Sequence, residues 1–295
     1  MFKLAKKFSA MLLCAGVLSF GTNEAEALRY FAQKPYMESS ATPYGDNEKA
    51  AHYAQADDAK IYYEIYGKGA PVVILHGGGL GSAYEMGCFI DKLKDNNQVI
   101  VISTRGHGKS EIGHKPFHLR QRAEDIKAVL DDAGIKQKVT IIGFSDGAYS
   151  GYSFATTYPS AIEKLVAIGA GEVLQSNKFF VFDLNQWRKM DADFIEQQKK
   201  LMPEPERWQE MLDMYEDMWN GAVISKALFA KVKCPVLVIN GENDINSPMS
   251  TAIAAYNELP NAQLSIIPNT PHPCFLVNFD AVWAAMQPFL KIKFS

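Results

Sequence analysis

The sequence contains no C-x-x-C pair and no H-E-x-x-H, the spacings that hold zinc or build a redox couple, so no metal site and no cofactor is expected. Cysteine is scarce, at four residues in 295. Cys88, Cys234 and Cys274 are scattered, and an odd set of distant thiols is not a disulfide framework. At least one of them is free, one bridge is compatible with the spacing, and the default reading is small buried hydrophobes. Neither sign of charge dominates. The formal net charge is -3 and no basic patch stands out, which argues against a nucleic-acid partner. Only one long apolar run exists, Phe8 to Phe20. It is too short to span a bilayer comfortably, and no second one follows. No internal repeat is present.

The first residues differ from the rest. Lys3, Lys6 and Lys7 precede the apolar run, and Ala25-Glu26-Ala27 is an A-x-A cleavage pattern. Residues 1–27 therefore read as a secretory signal peptide, which implies export to a periplasmic or extracellular space. The alternative is an uncleaved N-terminal anchor. Cys14 does not follow a small residue, so a lipoprotein cleavage box is not indicated. Residues 28–50 are mixed and polar without a period, and read as a mobile leader.

A rhythm of short apolar strands and helical spacings then begins. Ile61–Tyr66, Pro71–Leu75, Val99–Ile102, Val139–Ile142 and Leu165–Ile168 are strand candidates. Helical spacing occupies 83–93 and 119–133. The rhythm stops at Gly171. Up to about Phe229 only helical patterns appear, with Trp187, Phe194, Trp208, Met211, Tyr215 and Trp219 prominent. Strands resume at Val236–Ile239 and Gln263–Ile267, and a helix near 275–290 closes the chain. Strands alternating with helices predict a mostly parallel sheet with helices on both faces. The predicted layout is a core of 51–170 and 231–295 interrupted by a helical cap over 171–230. Ordinary helix packing is the favoured explanation of the cap's aromatic and Met stripe, ahead of a pocket lining.

Within this pattern Gly143-Phe144-Ser145-Asp146-Gly147 lies between a β-branched run and a helix-like run. A G-x-S-x-G at a strand-to-helix junction is the nucleophile elbow of a serine hydrolase. The serine occupies a turn too sharp for side chains two residues before and after it, hence the glycines. The helix start supplies free N–H groups and a favourable dipole for negative charge. By composition alone such a pentapeptide arises in a chain of this length about one time in ten, so a base and an acid must be found.

Of six histidines only His272 follows Ser145. It lies in Asn269-Thr270-Pro271-His272-Pro273, between the last strand and the last helix, where a stiff loop can hold a base of near-neutral pKa. The acid should lie between them. Asp244 directly follows the strand 236–239, at the carboxyl edge where open α/β sheets place their sites. Glu242 is its competitor. Asp183, Asp191, Asp193, Asp213 and Asp217 read as solvated helix faces. The oxyanion needs two N–H donors. The backbone of Asp146 supplies one, and the glycine loop His76-Gly77-Gly78-Gly79 the other, with Gly78 favoured. His76 reads as a brace of that turn.

These pieces together resemble the α/β-hydrolase superfamily over roughly residues 51–292. The matching motifs are HGGG at 76–79, RGHGKS at 105–110, GFSDG at 143–147, GEND at 241–244 and the His272 loop. The elbow is similar to those of small-ester carboxylesterases and valacyclovir-hydrolase-like enzymes. The resemblance implies the α/β-hydrolase fold, with nucleophile Ser145, acid Asp244 and base His272 in that family's chain order. It implies hydrolysis of a small-molecule ester through an acyl-enzyme. Peptidase, lactonase or C–C hydrolase chemistry on the same triad, or ligand sensing without turnover, are the alternatives. Two positions depart from the family pattern. Ser103 stands where relatives carry a loop-supporting Asp, and Ala148 where a second Gly is frequent.

Overall fold

The computed structural model describes residues 27–34, 40–174 and 180–291. The signal-peptide expectation therefore falls outside the described residues except for Ala27. Eight strands form one sheet: β1 (Ala51–Ala56), β2 (Ala59–Tyr66), β3 (Ala70–Leu75), β4 (Asn97–Ile102), β5 (Val139–Phe144), β6 (Ile162–Ile168), β7 (Val236–Gly241) and β8 (Ala262–Ile267). Their order is β1-β2-β4-β3-β5-β6-β7-β8. The β1–β2 and β2–β4 pairings are antiparallel and the remaining ones parallel. The helices are α1 (Gly87–Leu93), α2 (Leu119–Asp132), α3 (Asp146–Thr157), α4 (Leu184–Met190), α5 (Ala192–Leu201), α6 (Trp208–Gly221), α7 (Lys226–Phe229), α8 (Met249–Glu258), α9 (Cys274–Val277) and α10 (Phe279–Leu290). The closing helix expected near 275–290 is thus two, parted at Asn278, whose side chain accepts the N–H of Ala281 and caps α10.

The continuous apolar runs explain the parallel centre. Side chains alternate across a strand. Val73, Leu75, Ile100, Ile102 and Ile141 enter the core beneath α2 and α3. Val72, Ile74, Val99, Val101 and Ile142 enter the core beneath α1 and α10. Because both faces are buried, polar alternation would leave uncompensated groups. Strand β1 escaped the sequence reading: its composition is Ala-rich and polar, and His52, Tyr53 and Gln55 are exposed at the sheet's edge.

Two loops at the carboxyl edge are fixed by buried polar groups. After β4, Arg105 is fully buried. It donates to both oxygens of Asp125 (3.0 and 2.7 Å), to Asp58 (2.7 Å) and to the Ala56 carbonyl (2.8 Å). This network supports the loop in which Ser103 replaces the family's Asp. After β3, the His76 Nε2 accepts the Thr104 N–H at 3.0 Å, so Nδ1 carries the hydrogen and donates to the Gly77 carbonyl at 2.6 Å. Burial pushes this imidazole down to about 4. It is a neutral brace.

The segment 28–50, expected as a loose leader, is packed where it is described. Fully buried Glu64 accepts the N–H groups of Gly45 and Asn47. Arg29 donates to Asp191 at 2.8 Å, and Phe31 meets Phe194 edge-on at 5.6 Å. Asp191 also caps α5 by accepting the Phe194 N–H. It is therefore a buried anchor for the N-terminal arm and not a solvated helix face. Helices α4 to α7 lie between β6 and β7, and a bridge between Val173 and Ile224 closes the base of that insertion. Cys234 and Cys274 are free thiols.

Removing one partner of a buried ion pair costs about 3–5 kcal/mol. Asp125→Ala should lower unfolding stability by that amount in urea titration, and a loss under about 1 kcal/mol would contradict the assigned role of Arg105. The His76 brace predicts a pH effect. An unfolded chain protonates this histidine below about pH 6.5, whereas the folded state resists protonation down to about 4. Stability should therefore be full above pH 6.5 and fall as pH drops toward 4, by up to about 1.4 kcal/mol per pH unit for this group. Urea unfolding of His76→Gln should show a shallower acid slope; an equal slope would contradict burial of the neutral form.

Candidate active site

Ser145 links β5 to α3 with φ 49° and ψ -118°, a backbone that costs a non-glycine residue about 1–3 kcal/mol. Crowding makes the neighbouring glycines obligatory. A Cβ on Gly143 would lie 2.4 Å from the Gly147 carbonyl oxygen. A Cβ on Gly147 would lie 2.5 Å from the Leu75 oxygen and 2.6 Å from that of His76. The collision predicted between positions 143 and 147 is real, but Gly147 is confined mainly by the end of β3. The Ser145 N–H donates to the Ile168 carbonyl at 2.7 Å, and its side chain opens into a cavity.

The three residues proposed as a triad meet. The His272 Nε2 lies 2.9 Å from the Ser145 Oγ, and its Nδ1 lies 2.7 Å from an Asp244 carboxylate oxygen. With Nδ1–H donating to Asp244, Nε2 is left as the acceptor of the serine proton. Asp244 is oriented on its other side: Oδ1 accepts the N–H groups of Asn246 and Ser247 at 2.9 and 2.8 Å. Its side chain is fully buried while His272 is 14% exposed, so the carboxylate is shielded and the imidazole can reach a substrate. The His272 ring rests against Phe144 at 4.8 Å and passes close to Gly169, where a Cβ would come within 3.0 Å. Glu242, the competing acid, is exposed and accepts the Asn269 N–H, which steadies the histidine loop from outside.

The two expected oxyanion donors are neighbours. A Cβ on Gly78 would come within 2.9 Å of both the Asp146 Cβ and the Tyr215 ring, so the glycine loop lies directly on the first turn of α3. The first N–H groups of that helix have no intrahelical acceptors. The Asp146 side chain acts separately from its amide. One of its oxygens accepts the Tyr215 hydroxyl at 2.8 Å, tying α6 to the elbow. Of the other histidines, His76 and His107 are buried neutral, held down by desolvation, and His118 caps α2.

The cavity holds about 590 Å³, within the size range of small-molecule sites. Its cap wall is Phe180, Val181, Phe182, Trp187, Tyr215 and Trp219. The aromatic stripe thus serves two ends: Trp187, Tyr215 and Trp219 pack on the core and also line the cavity, whereas Phe194, Trp208 and Met211 are core without lining it. Tyr30 and Phe31 of the N-terminal arm and Glu85 also line it. Sequence reasoning missed these three; only the aromatic pair inside a polar segment gave a signal. Among the described residues that line the cavity there is no Lys or Arg. Among the described residues no group of three or more His, Cys, Asp or Glu is placed to hold a metal ion, and no helix is long and apolar enough to cross a membrane.

Residues 70–201 match the family model of the alpha/beta hydrolase fold. The human serine hydrolase BPHL is 25% identical over 264 residues, covering 85% of this chain and 89% of the relative. The 2-hydroxy-6-oxononadienedioate/2-hydroxy-6-oxononatrienedioate hydrolase 2 of Pseudomonas putida is 26% identical over 271 residues, covering 80% and 90%. Among solved structures, the CarC serine hydrolase involved in carbazole degradation superimposes with a TM-score of 0.69 at 20% identity, covering 82% of this chain and 99% of that one. With the eight-stranded, mostly parallel sheet flanked by helices, these matches establish that the chain belongs to the α/β-hydrolase superfamily.

Proposed function

We propose that the protein is a serine hydrolase that cleaves small carboxylic esters through an acyl-enzyme. The observation that carries this reading is the unbroken chain from Asp244 through His272 to Ser145, opening into a cavity whose lining includes Gly78 and Asp146. His272 takes the Ser145 proton as Oγ attacks the ester carbonyl, and Asp244 stabilises the imidazolium. The developing oxyanion lies at the Gly78 and Asp146 N–H groups, each such donor contributing about 3–4 kcal/mol. His272 then returns the proton to the departing alkoxide. It activates a water that attacks the acyl-enzyme, and Ser145 is restored.

The cavity favours neutral esters over the other chemistries its relatives perform. The Pseudomonas putida relative is named for a dienedioate, a dianion. Here Glu85 and Asp146 supply carboxyl groups, and among the described lining residues no Lys or Arg offsets the charge of such a substrate. A neutral lactone fits the same chemistry. A completed triad hydrogen-bond chain also favours turnover over ligand sensing. Export through residues 1–27 belongs to the same proposal. It is supported by the arm, whose packing at Arg29, Tyr30 and Phe31 lies just beyond Ala27 and would survive cleavage there. N-terminal sequencing of secreted protein should begin at Leu28; retention of Met1 in a membrane fraction would indicate an anchor.

The protein should hydrolyse p-nitrophenyl acetate and butyrate. Ser145→Ala should reduce kcat by at least about 10³-fold, and Asp244→Asn by roughly 10³ to 10⁴-fold with the fold intact. Ester turnover that persists in Ser145→Ala would refute the nucleophile. An Asp244→Asn variant within tenfold of wild type would return the acid role to Glu242.

A further inference from the structure

Glu85 is a buried carboxyl for which the triad has no use. It lies in the 3-10 turn Ala83–Met86, is 8% exposed, and lines the same cavity as Ser145 and His272. Its Oε1 accepts the Gly77 N–H at 2.6 Å. Its Oε2 takes no part in that bond, and the residue borders the cavity. The titratable residues that share the cavity lining with it are Tyr30 on the arm, Asp146 and Tyr149 on α3, Tyr215 on α6 and His272, and Tyr84 precedes it in its own turn. None is a fixed cation. Burial pushes the Glu85 carboxyl up to about 8, against the opposing pull of the Gly77 N–H. At neutral pH the group therefore holds its proton. Because Oε1 is occupied as an acceptor, that proton belongs on Oε2, where the acid becomes a donor toward the cavity.

We propose that Glu85 is a specificity-determining residue whose Oε2–H donates a hydrogen bond to a second acceptor oxygen of the substrate, beyond the scissile ester group. That oxygen would be an ether, keto or hydroxyl oxygen in a short acyl or alcohol chain. The proposal rests on the hydrolase reading above. A purely structural Glu85, holding the glycine loop through Gly77, would affect all esters alike; a donor into the cavity discriminates between them.

The test compares isosteric pairs that differ by one oxygen for one methylene. On the acyl side these are p-nitrophenyl methoxyacetate and p-nitrophenyl butyrate, and on the alcohol side 2-methoxyethyl acetate and butyl acetate. Each kcat/KM ratio is divided by the ratio for hydroxide-catalysed hydrolysis. For at least one pair, the corrected preference for the oxygen-bearing ester at pH 7 should be about 3- to 10-fold greater in wild type than in Glu85→Leu. In wild type it should fade as pH passes about 8. Glu85→Gln preserves both an acceptor for Gly77 and a donor at every pH, so it should keep the preference to pH 9, and this arm stands even if the Leu variant does not fold. Equal corrected ratios for both pairs in wild type and Glu85→Leu at pH 7, or in wild type and Glu85→Gln at both pH 7 and pH 9, would overturn the proposal. So would a preference that rises with pH, which would make the carboxylate the working form. Absence of all ester turnover would defeat the hydrolase reading instead. The same preference would then be read in Ser145→Ala as a Kd ratio for methyl methoxyacetate and methyl butyrate, from the fluorescence of Trp187 and Trp219 in the cavity wall.

Discussion

The closeness of α3 to the end of β3 governs the rest of the site. Gly147 sits so near the Leu75 and His76 carbonyls that a single added carbon would come within about 2.6 Å of both. The helix can begin there only if its second residue is glycine, and the chain can enter it only by the positive-φ turn at Ser145. One contact thereby shapes the elbow. It goes with a serine side chain that opens into the cavity and a Gly78 loop laid against the same helix start. The strain at Ser145 is sustained by the buried sheet on either side, where Ile168 and Leu75 belong to parallel strands that cannot yield separately.

Around this point the molecule separates histidines held neutral by burial from the one that borders the cavity. His76 and His107 are sealed under the cap and kept neutral by desolvation. His272 is partly open, with one nitrogen committed to a saturated carboxylate and the other presented to Ser145. Asp244 spends its second oxygen on two backbone amides, so the imidazole receives a fixed partner instead of a mobile one. The arrangement is built from the ends of β5, β7 and β8, so the parallel sheet is what brings residues more than a hundred positions apart together.

Much of this was legible in the sequence because each piece had a local signature. The apolar β-branched runs marked the central strands, the glycines marked the elbow, and chain order with strand ends singled out His272 and Asp244. What was not legible depends on distant contacts. Asp191 looks like any surface carboxylate until Arg29 docks on it from 162 positions away. The arm at 29–31 reads as loose because no local period announces packing that lies in the tertiary fold. The aromatic stripe of the insertion could not be divided between core and cavity, since helical spacing identifies a buried face without saying what fills the space opposite. Glu85 carried no motif at all; its position follows from the turn after the glycine loop. Strand β1 was hidden by Ala and polar residues that suffice at a sheet edge but not at its centre.

The central claim is that the elbow presents Ser145 Oγ to a carbonyl whose oxygen falls on the Gly78 and Asp146 amides. A crystal structure of the protein after reaction with a fluorophosphonate tests this directly. The account predicts a phosphonyl group bonded to Ser145 Oγ, with its oxygen about 2.7–3.1 Å from both N–H groups. An adduct on another residue, or one whose oxygen points away from Gly78 and Asp146, would contradict it.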